Sequence, residues 1–180
     1  MTSDKLTFSD KFKTNIIALL DIIHELLEDF SKRADIKINP QLVMLGKSFI
    51  NTCSSSMIID TFIDKSFEHW DRIKTRDEKF FVENCDTIFG DIPLLDTSIL
   101  KTIYETTDRK GSQLLSDDDK ETLWKFFESM VKLSLKHIHE QREPVLKMVE
   151  NRNEKLYSKK LYDYVNLSEH SKIWSVELVW

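Results

Sequence analysis

The sequence predicts an all-α fold: a single-domain multi-helix bundle spanning residues 1–180, with a long central helix and an aromatic C-terminal segment in which 166–180 forms a docking tail. Three observations predict it. Gly and Pro number three each in 180 residues, far below the usual share of about 12% for the pair, and a sheet built of hairpins needs both for its turns. Hydrophobic residues at 41% and charged residues at 32% describe a globular chain, too apolar to stay disordered and too charged to live in lipid. Along most of the length, apolar residues recur every three or four positions, which lines one face of a helix. A chain this long is expected to bury a real core in one domain. The scarcity of glycine also excludes a Gly-rich phosphate loop, because Gly46, Gly90 and Gly111 stand far apart.

The first helix is predicted from about Ser9 to Ser31. Phe12, Ile16, Leu19, Leu20, Ile23, Leu26, Leu27 and Phe30 form its apolar stripe, and the Ser9 hydroxyl can cap its first free amides. Asn39 and Pro40 then pair as N-cap and first-turn residue of a second helix that would bury Leu42, Val43, Leu45, Phe49, Ile50 and Cys53. Ser54, Ser55 and Ser56 weaken helical propensity and can break or re-cap the chain. Met57, Ile58, Ile59, Phe62, Ile63, Phe67 and Trp70 resume an apolar face beyond them. Two helices and one bent helix both fit this stretch.

A further helix starts near Thr75, with Asp77 and Glu78 in its first turn and Phe80, Phe81, Cys85, Ile88 and Phe89 facing inward. Gly90 ends it and Pro93 delays a restart. A short helix over Asp96 to Thr106 follows, and Thr107 to Leu115 reads as the most mobile loop. Ser116 caps the long central helix, whose first turn holds Asp117, Asp118 and Asp119 against the positive end of its dipole. Its core face is Leu123, Trp124, Phe127, Met130, Val131, Ser134, Leu135 and Ile138. Pro144 bends or restarts the chain before Val145 to Leu156. Tyr157, Leu161, Tyr162, Tyr164 and Val165 open a less regular aromatic part.

A formal charge of -5 and a pI near 5.6 provide no global attraction to nucleic acid or to an anionic membrane. Cys53 and Cys85 are the only thiols, too few for a disulfide framework, and both read as reduced core residues. Residues Met1 to Lys13 lack the apolar stretch of a signal peptide, and no apolar run approaches the ~18 residues that span a bilayer. The expected setting is the cytoplasm.

Candidate chemistry is sparse. His137, His139 and Glu140 suggest a metal site, but positions two apart on a helix point about 200° away from each other. They read as surface polar residues. His24 and Glu25 begin a zinc-protease pattern that fails because position 28 is Glu. Asp117 to Asp119 lack the alternating ligands and central Gly of a calcium loop. Ser54 to Ser56 have no base near them in sequence, and Glu68, Asp71, Asp77 and Glu78 read as a solvated helix face. No catalytic residue, metal or cofactor is expected, and the chain is not expected to be an enzyme.

Two stretches suggest partners. Lys136, Arg142, Lys147, Arg152, Lys155, Lys159 and Lys160 alternate with tyrosines, and Lys155, Lys159 and Lys160 are the positions that would hold nucleic acid. Glu140, Glu143, Glu150 and Glu154 dilute that field, so a mixed-charge exposed helix is the plainer account. Further on, Ile173, Trp174, Val176, Leu178, Val179 and Trp180 bring two indoles to a place where chains are usually polar. Such a segment packs on its own helices or docks on a partner, with Trp174, Leu178 and Trp180 as the anchors.

Phe67-Glu68-His69-Trp70-Asp71-Arg72-Ile73, Phe80 to Asn84, Ile88 to Pro93, Leu123 to Phe127 and Val131 to Leu133 together resemble small helical proteins encoded by nucleocytoplasmic large DNA viruses. The likeness covers about a third of the chain, contains no specific motif and carries over no functional residue. It implies a virus-encoded accessory or virion-associated protein of the host cytoplasm or the particle. The leading expectation is therefore a non-enzymatic helical module that binds a protein partner or itself, without a membrane. A nucleic-acid accessory factor using the basic C-terminal third is one alternative; a helical-bundle regulator of host signalling or cell death is another.

Overall fold

A computed structural model describes residues 6–34, 39–89 and 97–140. Over these residues the protein is an all-α bundle. Its elements are α1 (Phe8–Arg33), α2 (Gln41–Thr52), α3 (Ser55–Ser66), a 3-10 turn (Phe67–His69), α4 (Trp70–Lys74), α5 (Glu78–Phe89), α6 (Thr97–Glu105) and α7 (Asp117–Glu140). Gly90, Pro93, Pro144 and the helix proposed from Val145 lie outside the described residues, as does the aromatic stretch after it.

Side-chain oxygens set the helix starts. Thr7, not Ser9, caps α1: its hydroxyl accepts from the Asp10 amide at 3.1 Å, while the Asp10 carboxylate accepts from the Thr7 amide at 3.3 Å. This is a reciprocal capping box. Ser9 lies inside the first turn and is buried. The Thr7 and Ser55 hydroxyls, both donating to Asp10, hold that carboxyl below its usual range. At α2, the Asn39 side chain accepts from the Gln41 amide at 3.0 Å. Ser54 accepts from Met57 at 3.3 Å and starts α3 as a separate helix, which decides between the two readings of the serine run. Asp77 caps α5 through the Phe80 amide at 3.1 Å. Ser116 and Asp119 repeat the capping box at α7, at 3.2 and 3.1 Å.

The long helix α7 packs along α1, and α1 is the hub, since its extensive contacts also reach α2 and α3. The two long helices are antiparallel: the Asn15 side chain donates to the Phe126 carbonyl at 3.5 Å, and the Lys136 ammonium sits 5.0 Å from the centre of the Phe8 ring. Their facing stripes enclose a ring-rich core. Phe12 meets Phe62 at 5.1 Å, and Phe81 stands edge-on to Trp124 at 5.5 Å and stacks over Phe127 at 6.2 Å. Such pairs add about 0.5–1.5 kcal/mol each beyond the area they bury. Cys85 is buried and Cys53 half-buried, both free thiols; burial pushes the Cys85 thiol up.

One helix departs from its predicted packing. Of the α2 residues expected in the core, only Val43 is buried; Phe49 and Ile50 are half-buried, and Leu42 and Leu45 face out. The cause is the break at Cys53 and Ser54, where the chain turns through 116° between Gln41–Thr52 and Ser55–Lys74. The turn sends α3 into the core and leaves α2 lying mainly against α1, pinned by an ion pair between Lys47 and Asp21. No single helix among the described residues is long and apolar enough to cross a membrane.

The stretch read as a mobile loop is a hydrogen-bonded turn. Thr107 and Gln113 form an antiparallel bridge, the Leu114 amide donates to the Thr106 carbonyl at 2.9 Å, and the Asp108 carboxylate accepts from the Lys110 and Ser112 amides. Gly111 takes the positive φ of 81° that the tip requires. Leu114 and Leu115 anchor the turn in the core.

Arg76, between α4 and α5, has φ 52°, a left-handed backbone that side chains disfavour. Its guanidinium donates to Glu121 and, at 2.9 Å, to Glu128, tying this junction to α7. The Arg76 hydrogen bond holds the Glu121 carboxyl below its usual range, so the stabilisation is present above the ordinary glutamate pKa and fades as pH falls through the lowered one. Arg76→Gly and Arg76→Ala both lose the ion pairs, but only alanine also strains the backbone. Urea unfolding is expected to show the alanine variant about 1 kcal/mol less stable than the glycine variant.

Candidate functional site

Two arrangements outside the aromatic core carry polar or recognition chemistry. The first is interior. His137 was expected at the surface, yet it is 2% exposed, and its ring nitrogen Nε2 lies 3.0 Å from Oδ1 of Asp60 on α3. Helical geometry explains the correction: Met130, Ser134 and His137 are spaced four and three apart, which puts the imidazole on the buried stripe of α7. His139, two positions on, is exposed, as the angle between them requires. Ser134, one turn before His137, is fully buried, and its hydroxyl has no hydrogen-bond partner among the described residues.

A carboxylate beside an imidazole is the orienting half of a general base. Here the ring is closed off, so the pair works as a link between α3 and α7. The other sequence candidates also take structural places. Asp117 and Asp118 are exposed in the first turn of α7 and Asp119 caps it; Ser54 caps α3; Ser55 bonds Asp10. His24 lies 4.0 Å from Glu28. Among the described residues, no three His, Cys, Asp or Glu side chains converge as metal ligands would.

The second arrangement is the outward face of α2. Leu42, Met44 and Leu45 are 38%, 37% and 58% exposed, and Met57, just past the corner on α3, is 49% exposed. Leu42 and Leu45 share one side of the helix at a spacing of three. The only charge on α2 is Lys47, which Asp21 engages. The exposed residues of α2 are thus uncharged, with Leu42, Met44 and Leu45 clustered in its N-terminal half beside Gln41, Ser48, Asn51 and Thr52, while the large apolar side chains of α3 and α7 are mostly buried. Isolated exposed apolar residues are ordinary; here three stand within four positions of one short helix.

No protein-family model matches this chain, and no curated protein or solved structure matches it either. The site is therefore read from its own geometry.

Trp174, Leu178 and Trp180, the predicted partner anchors, lie outside the described residues, as do Lys155, Lys159 and Lys160, the predicted nucleic-acid contacts. Of the basic run, Lys136 is described. Burial pushes its ammonium down and Lys11 adds to the effect; both amines sit about the Phe8 ring, at 5.0 and 5.5 Å from its centre. Sequence reasoning missed the His137–Asp60 link and the open face of α2. The first had a signal in the spacing along α7; the second had none, because the residues of an apolar stripe look the same whether or not another helix covers them.

Proposed function

We propose that the protein is a non-enzymatic helical interaction module that recognises a protein partner through the outward face of α2. The observation that carries this reading is the grouping of exposed Leu42, Met44 and Leu45 on a helix whose main packing is against α1. An amphipathic partner helix laying its apolar side along such a face is a familiar mode of recognition, and each half-exposed leucine it covers contributes about 1 kcal/mol. The resemblance to small virus-encoded helical proteins extends the reading to an accessory or virion-associated protein of the host cytoplasm or the particle.

Leu45→Glu tests it. The position is 58% exposed, so the thermal midpoint is expected to move by no more than about 2 °C. Recovery of a co-purifying partner is expected to drop at least about tenfold, because a buried charge replaces a buried leucine. Undiminished recovery with both Leu42→Glu and Leu45→Glu sinks the proposal.

A further inference from the structure

The outward face of α2 and the segment Ile173–Trp180 are both rich in large apolar side chains and poor in charged ones. The first carries Leu42, Met44 and Leu45 with one charged side chain, Lys47, already engaged; the second carries Ile173, Trp174, Val176, Leu178, Val179 and Trp180 with one charged side chain, Glu177. Bringing them together removes apolar area from water on both sides and strips almost no charge of its hydration.

We propose that the chain's own segment Ile173–Trp180 docks on the outward face of α2 and competes there with the partner. This rests on the reading of α2 as a recognition face. The course of the chain favours this occupant. The Lys136 ammonium lies over Phe8, and the Lys13 ammonium donates to the Asn51 and Cys53 carbonyls at 3.0 and 2.7 Å. The C-terminal ends of α7 and α2 therefore flank the same end of α1. From Glu140, residues 141–172 reach roughly 48 Å even at the rise of a helix, and α2 is only about 18 Å long. A segment tethered within reach acts at an effective concentration on the order of millimolar. At low micromolar protein, a second copy offering the same contacts is outcompeted by about a thousandfold. Trp174, Leu178 and Trp180 are the anchors and Leu45 is the centre of the receiving face.

The test uses the full chain at low micromolar concentration with the photo-cross-linker p-benzoylphenylalanine at position 45. The expected product has the mass of one chain and joins position 45 to the peptide containing Ile173–Trp180, and it is lost when Trp174→Ser, Leu178→Ser and Trp180→Ser are combined. An adduct of two chains, or cross-linking confined to other parts of the same chain, overturns the proposal. Removal of 166–180 is also expected to raise partner capture severalfold. Failure of the two readings can be told apart: if Leu45→Glu abolishes partner capture while no adduct with Ile173–Trp180 forms, the proposed function stands and the self-docking falls. If the adduct forms and Leu45→Glu leaves partner capture unchanged, the proposed function falls and the competition with it, while the docking of Ile173–Trp180 on α2 stands.

Discussion

Trp70→Ala is expected to destabilise the protein by about 3–5 kcal/mol, the usual cost of emptying a fully buried aromatic site. Trp70 has no exposed surface and opens α4 directly after the 3-10 turn Phe67–His69. Its indole nitrogen donates to the Ser66 hydroxyl at 2.9 Å, and that hydroxyl donates in turn to the Phe62 carbonyl at 2.7 Å. The relay stitches the end of α3 to the start of α4. Trp70→Phe keeps most of the volume and loses the N–H, so about 1–2 kcal/mol is expected from it. Urea denaturation with an unchanged m value checks both. Equal losses for the two variants would show that the N–H bond, not the filled volume, dominates at this position.

His137→Ala is expected to cost about 2–4 kcal/mol. It removes a buried ring, leaves a cavity and breaks the link to Asp60. Asp60→Ala should cost less, about 1–3 kcal/mol, because the Asp60 side chain is 28% exposed and little packing goes with it; the penalty is mainly the imidazole nitrogen left inside without its carboxylate. His139→Ala, on the same helix but exposed, should stay within about 0.5 kcal/mol of the parent. The three variants compared by thermal and urea unfolding separate a buried link from a surface residue. A His137→Ala protein as stable as His139→Ala would contradict the packing of α7 described here.

Local signals in this sequence were readable and long-range ones were not. The stripe predicted for α7 is buried except for Leu135, which is half-buried, because a period of 3.6 residues fixes which side chains share a face. Caps at Ser54 and Ser116 follow from residue type and spacing alone, whereas Asp77, read as lying inside the first turn of a helix from Thr75, instead caps α5, which starts at Glu78. Thr7 rather than Ser9 caps α1 because Asp10 stands three residues after Thr7, completing a box that Ser9, followed at that interval by Phe12, does not offer. His137 was misplaced because polarity was weighed above position, and its partner Asp60 is 77 residues away, a distance no local pattern spans. The open face of α2 depends on the direction taken by α3 after Ser54, which is a property of the assembled bundle. The exposed face of α2 was thus the least legible feature, since it is defined by what fails to cover it.

The bridge between Thr107 and Gln113 has a practical corollary. It holds two backbone strands side by side at the base of a short protrusion, with Leu114 seated in the interior and Gly111 at the apex facing open space. Strain introduced at the apex ends at that clasp before it reaches the helices. The peptide between Lys110 and Gly111 is accordingly the natural point for inserting a reporter sequence, with both α2 and the helix-to-helix packing left undisturbed.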